Sequence, residues 1–242
     1  RNEVRTTTNN FVDVTPNAWY NEPASSMYKG GYIAGYKDGT FGGNKNITRA
    51  EFVSMLVRFL GEDQGSMSFT DVPQNHWAAK DIAIAASQGW VVGYSDGTFK
   101  PNGNITRAEF ATIAVRFFEA TYDGENLFPD IDGHWAQDYI NEAANAGIVD
   151  GYPDGTFKPT NPVNRQELAK ILYGYDVFAK RVGQDFAVKL TYTDLDAIPD
   201  WALEAVNYCS AAGYLQGSNG VFNPKGKTTR CQAAKVLSVM AA

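Results

Sequence analysis

Apolar residues along the chain fall into short stretches with helical spacing. Phe52, Met55, Leu56, Phe59 and Leu60 stand at i, i+3, i+4, i+7 and i+8. The same stripe recurs as Phe110, Ile113, Ala114, Phe117 and Phe118, as Leu168, Ile171, Leu172 and Tyr175, and as Ala233, Val236, Leu237 and Met240. Each predicts an amphipathic helix. A shorter helix is predicted ahead of each; in the third case Ala136, Ile140, Ala143 and Ala144 share one face. Glycines close these first helices: Gly31, Gly89, Gly147 and Gly213 stand where a left-handed C-terminal residue belongs. Between the two helices runs a turn cassette, Gly35-Tyr36-Lys37-Asp38-Gly39-Thr40-Phe41, repeated as Gly93 to Phe99 and Gly151 to Phe157 and shortened to Gly217 to Phe222. Its Asp-Gly pair predicts a tight turn with positive φ at the glycine.

The pattern is therefore a repeat. Four segments open on an aromatic residue, a spacer and Asp, at Phe11, Phe69, Phe128 and Tyr192, separated by 58, 59 and 64 residues. A tryptophan follows each opening: Trp19, Trp77, Trp135 and Trp201. The expected organisation is a loose polar tail over 1–10, repeats over 11–61, 69–120 and 128–178, a linker over 179–191, and a degenerate fourth repeat over 192–242. One pair of helices cannot bury such stripes alone, so neighbouring repeats must pack together. The predicted fold class is all-α, a tandem array of helical-hairpin repeats.

Composition narrows the function. Of 242 residues, 44% are hydrophobic and 20% charged, which fits a globular chain rather than a disordered one. No apolar run is long enough to span a membrane, so membrane insertion is not expected. The start at Arg1, without Met or a signal peptide, is expected of a processed product or an excised piece. A net charge of −6 and a pI near 5.0 argue against nucleic acid as partner. Two cysteines, Cys209 and Cys231, make no disulfide framework; one bridge and two buried thiols are both open. His76 and His134 stand 58 residues apart at matching repeat positions, so periodicity explains them better than a metal site does. No cofactor or metal is implied. No carboxylate pair or nucleophile–base set stands apart from the repeat, so an enzyme is not expected.

Ahead of each second helix stand Thr48-Arg49-Ala50-Glu51, Thr106-Arg107-Ala108-Glu109, Asn164-Arg165-Gln166-Glu167 and Thr229-Arg230-Cys231-Gln232. Thr or Asn with Glu or Gln three residues on predicts a capping box. Arg is the unexpected residue. It falls at the first helical position, where the helix dipole disfavours a cation, and it does so four times. Two explanations are open. Either the guanidinium and the free amides of the helix start read an anionic ligand, or the Arg pairs with an acidic residue of a neighbouring repeat.

The Phe-x-Asp opening, the Trp, the Gly-Tyr-x-Asp-Gly-Thr-Phe cassette and Ile-Thr-Arg-Ala-Glu together resemble the S-layer homology (SLH) domain over essentially residues 11 to 242. That resemblance implies repeats about a pseudo-threefold axis with ligand grooves between them. It also implies a secreted, cell-surface location in the wall or S-layer. The implied partner is an anionic secondary cell-wall polysaccharide, often pyruvylated in this family, or modified peptidoglycan. Carried onto this chain, the glycan-binding residues are Arg49 and Arg107 and, with altered motifs, Arg165 and Arg230. To these are added Trp19, Trp77 and Trp135, whose faces suit sugar rings, Asp38, Asp96 and Asp154 as acceptors for sugar hydroxyls, and Gly35, Gly93 and Gly151. A fourth repeat departs from a three-repeat spindle; it lacks the cassette Tyr and Asp and carries Gln232 for Glu. That surplus repeat is what supports the competing function, a protein-interaction or S-layer lattice scaffold.

Overall fold

A computed structural model describes residues 11–118, 121–178, 182 and 190–240. The expected tail 1–10 and most of the linker 179–191 lie outside these residues, as do the side chains of Phe117, Phe118, Tyr175 and Met240.

Among the described residues there are eight α-helices, two per repeat: α1 (Asn21–Lys29), α2 (Arg49–Leu60), α3 (Ala79–Ser87), α4 (Arg107–Phe118), α5 (Gln137–Asn145), α6 (Arg165–Phe178), α7 (Asp200–Ala211) and α8 (Arg230–Met240). Among the described residues there are only isolated β-bridges and no sheet, so the fold is all-α. The glycines end the first helices as their positions predict, with φ of +75° at Gly31, +71° at Gly89, +73° at Gly147 and +72° at Gly213. The cassette turn is also as expected, with Gly39, Gly97 and Gly155 all at positive φ.

The chain divides into two compact units. Of the described residues, the first takes in those up to Gln88, Gly93–Gly103 and those from Thr228 onward; the second takes in Gly89–Val92 and those between Asn104 and Lys227. Within the first unit α2 packs on α3, and α1 packs on α8. Within the second, α4 packs on α5 and α6 on α7. The most extensive helix pairs thus join one repeat to another, which is how stripes too broad for one hairpin are covered. In the first unit the core of repeat one, with Phe11, Met27, Ile33, Phe41 and Ile47, is closed by Cys231, Ala234 and Leu237 of α8.

The second helices are buried over more than the stripe. Leu60 is exposed and Phe52 half-buried, whereas Val53 and Val57, outside the stripe, are fully buried. A one-sided stripe was expected; a helix packed on two sides replaces it, because α2 meets both α3 and its own repeat's core. Cys209 and Cys231 are both buried thiols that form no disulfide.

Candidate functional site: a buried arginine clamp and the groove beside it

The opening Asp of each repeat grips the end of its own cassette. Asp13 accepts the N–H groups of Phe41 and Gly42 at 2.6 and 2.8 Å. Asp71 does the same for Phe99 and Lys100, Asp130 for Phe157 and Lys158, and Asp194 for Phe222 and Asn223. The opening aromatic lies over the cassette's first glycine. A Cβ at Gly35 would stand 2.5 Å from Phe11, and one at Gly93 or Gly151 would stand 2.3 Å from Phe69 or Phe128. This packing explains glycine at all three of those candidate positions.

The cassette's Phe is fully buried, and its carbonyl points away from the Asp to meet an Arg from another repeat. Arg49 Nε donates to Phe99 O at 2.9 Å, Arg107 to Phe157 O at 2.7 Å, Arg165 to Phe222 O at 2.7 Å, and Arg230 to Phe41 O at 2.9 Å. Each guanidinium also sits over the Phe ring, at 4.3 to 5.1 Å from its centroid. Further carbonyls are taken at Nη2: Asp150 O by Arg107, Gln216 O by Arg165 and Ala34 O by Arg230. All four Arg residues are only 1 to 6% exposed. Burial lowers the pKa of Arg49, an effect opposed by its contact with Tyr94.

The first three capping boxes form as expected; in the fourth Gln232 Oε1 accepts the Thr229 N–H while the Thr229 hydroxyl meets Cys231 Sγ. Glu51 and Glu167 also have a second task. Glu51 Oε2 accepts Thr48 N–H at 3.0 Å, while Oε1 accepts Tyr36 O–H at 2.6 Å and Arg230 Nη1 at 2.9 Å. Glu167 repeats this with Asn164 N–H, Tyr152 O–H and Arg107 Nη1. The Tyr36 and Tyr152 hydroxyls are pushed up to about 12, first by burial and then by their bonds to these carboxylates.

One expectation is revised. The amides at the start of the second helices are not free for an anion. Arg49 N–H donates to Gly103 O, Arg107 N–H to Asn161 O, Arg165 N–H to Gly226 O and Arg230 N–H to Lys45 O. The next residue donates in the same way, and in the first three boxes the third amide is taken by the Thr or Asn side chain. The positive end of the helix dipole is thus answered by carbonyls of another repeat, which also explains why a cation is tolerated there.

The remaining candidates lie at the surface. Asp38, Asp96 and Asp154 each accept the backbone N–H and the hydroxyl of the Thr two residues on. These bonds hold all three below the usual carboxylate range, Asp154 to about 2 with help from Lys158. Trp19, Trp77 and Trp135 precede their helices by two residues and stand 40 to 58% exposed, whereas Trp201 lies on α7, half-buried.

Beside the Arg230 clamp a groove of about 550 Å³ opens over α2 in the first unit. Of the residues singled out from sequence, Arg230, Trp77 and Gly35 line it. Lys37, Ser54, Arg58 and Asn102 also line it and were not anticipated. Lys37 and Ser54 occupy positions that differ from repeat to repeat, and Arg58 and Asn102 recur in one other repeat only, as Arg116 and Asn44, so a reading built on what all four repeats share passes over them. Trp77 contributes an exposed aromatic face, and Arg58 is anchored by Asp81 of α3 at 2.9 Å.

Comparison with known proteins agrees with the geometry. The S-layer homology domain model matches at residues 10–53, 68–111, 127–169 and 191–234, well over half of the chain. Cell surface glycoprotein 1 of Acetivibrio thermocellus is 44% identical over 158 residues, covering 58% of this chain and 7% of that protein. The Cellulosome-anchoring protein of the same organism is 39% identical over 153 residues, 58% of this chain and 34% of that protein. An S-layer protein of Bacillus licheniformis is 29% identical over 174 residues, 71% of this chain and 20% of that protein. The chain thus spans only a minor part of these relatives. Four tandem matches coincide with the four repeats described above, and the chain belongs to the S-layer homology domain family.

Proposed function

We propose that the chain is a non-catalytic anchor that holds a surface protein on the bacterial cell wall by binding an anionic wall glycan. The observation that carries this reading is the groove over α2. Its charged lining is Lys37, Arg58 and Arg230 with Glu51, which pairs with Arg230 while Asp81 of α3 pairs with Arg58, and the exposed face of Trp77 stands beside them. Basic groups beside an aromatic wall suit an acid-bearing sugar: the ring stacks on the indole and the acid meets the cations. Family membership and relatives named as a cellulosome-anchoring protein and an S-layer protein support an extracellular, wall-associated role. Among the described residues no helix is long and apolar enough to cross a membrane.

With an overall charge of −6, long-range attraction for an acidic polymer is weak, so recognition rests on short-range contacts. Affinity should fall only modestly between low and physiological salt, and collapse when the acid groups are removed from the glycan. Sedimentation of the chain with purified walls tests the reading. Binding that disappears after extraction of the secondary polysaccharide supports it. Binding that survives extraction assigns the ligand to peptidoglycan, and failure to bind any wall fraction contradicts the anchor role.

A further inference from the structure

Two of the clamps include an Arg–Glu ion pair, Arg230–Glu51 in the first unit and Arg107–Glu167 in the second. Their inner partners match: a Tyr hydroxyl on the Glu, a Phe carbonyl on Nε and a second carbonyl on Nη2. The walls around them do not. Five residues past the helix-starting Arg stands Ser54 in α2 and Lys170 in α6, and one residue before the cassette stands Ala34 or Asp150. Lys170 Nζ meets Asp150 Oδ2 at 2.9 Å, so in the second unit an ion pair spans the place that Ala34 and Ser54 leave open in the first. Nine residues past the same Arg, Arg58 corresponds to Gly174. A Cβ at Gly174 would stand 2.7 Å from Gly147 O and 2.8 Å from Ile148 Cα, so backbone lies directly on α6 there. Around α2 the long side chain of Arg58 lines the groove instead.

Ser54 is a second, independent observation. It is 3% exposed, it lines the groove, and its Oγ has no hydrogen-bond partner among the described residues. At the matching position of α4, Thr112 donates to Ala108 O one turn back at 2.9 Å. A buried hydroxyl without a partner is costly and calls for an explanation, and a ligand hydroxyl or amide would supply the missing bond. A volume of about 550 Å³ is that of a small-ligand site.

We infer that, of these two grooves, only the one over α2 admits ligand, that it takes one or two sugar units bearing an acid group, and that Ser54 is a specificity-determining contact. The corresponding groove over α6 is closed by Lys170, Asp150 and Gly174. This inference rests on the anchor reading above and assigns it to one place.

The test is isothermal titration of the whole chain with pyruvylated oligosaccharide released from bacterial wall polysaccharide. Ala34→Asp with Ser54→Lys copies the closed groove into the open one and should weaken binding about tenfold or more. The converse pair, Asp150→Ala with Lys170→Ser, should leave the parent affinity within about twofold, since that groove takes no part. Trp77→Ala, at an exposed position, should also weaken binding and covers the case in which the first pair fails to fold, as judged by its thermal melt. Parent-like affinity in folded Ala34→Asp/Ser54→Lys, or a loss in Asp150→Ala/Lys170→Ser, overturns the groove assignment and leaves the anchor reading standing. Absence of binding by the parent to this probe and to intact walls overturns both.

Discussion

The grooves over α2 and α6 share a buried clamp and differ in nearly every residue of the wall around it. In both, an Arg from another repeat holds a Phe carbonyl while the opening Asp holds the same Phe by its N–H. Around α2 the wall is Ala34, Ser54 and Arg58; around α6 it is Asp150, Lys170 and Gly174. The repeated residues are thus those that join repeats to one another. Chemistry that distinguishes one groove from the next lies in the positions that do not repeat.

The largest effect should come from breaking a clamp. Arg107→Ala leaves Glu167 buried without its cation and two carbonyls without a donor, at a cost of about 3–5 kcal/mol. Urea unfolding checks this, and unchanged stability would separate the clamp from the fold. Opening aspartates come next. Asp130→Ala strips two backbone N–H groups, those of Phe157 and Lys158, of their acceptors and should cost about 2–3 kcal/mol. Asp130→Asn, which keeps one acceptor, should lose less. Thr106→Ala removes a cap and should cost about 1 kcal/mol, leaving glycan affinity nearly intact. An equal fall in stability for Thr106→Ala and Arg107→Ala would put the clamp on the level of an ordinary cap.

The smallest effect concerns pH. Burial lowers the pKa of His134, with Asp130 acting in the opposite sense, and its Nδ1 accepts the N–H of Ala136. Folded protein therefore holds that proton less tightly than the unfolded chain does. The stability contributed by neutral His134 is complete above its unfolded pKa of about 6.5 and is lost as pH falls below it. Thermal melts between about pH 7.5 and 5.5 should show this decline, and His134→Gln should reduce it. A decline of the same size in the variant would assign the pH dependence elsewhere.

Much of the fold is legible in the sequence because its signals are local. A capping box needs four residues, a left-handed glycine one, and an Asp-Gly turn two. The destination of the Arg is not local: its carbonyl acceptor lies 50 residues on for Arg49 and Arg107, 57 for Arg165, and 189 back for Arg230. A signal for it exists nonetheless. Repeat four has lost the cassette Tyr and Asp and has Gln232 for Glu, yet it keeps Asp194, Phe222 and Arg230. Those three retained positions make the Asp–Phe–Arg chain common to all four clamps, whereas the lost Tyr and Glu are the added partners seen around Arg230 and Arg107, and the lost Asp is an exposed turn residue in the other repeats. Ser54 and Arg58 were not legible, because nothing but the surrounding structure distinguishes them from other residues of an amphipathic helix.

The most direct measurement is an NMR titration of the labelled chain with native and de-acidified wall oligosaccharide. The indole N–H of Trp77, assigned by its loss in Trp77→Phe, and the amides of Lys37 and Ser54 should shift with the native glycan. The amides of Asp150 and Lys170 should stay in place, and de-acidified glycan should move none of these signals. Shifts centred on Asp150 and Lys170, or equal shifts with both glycans, would contradict an acid-reading groove over α2.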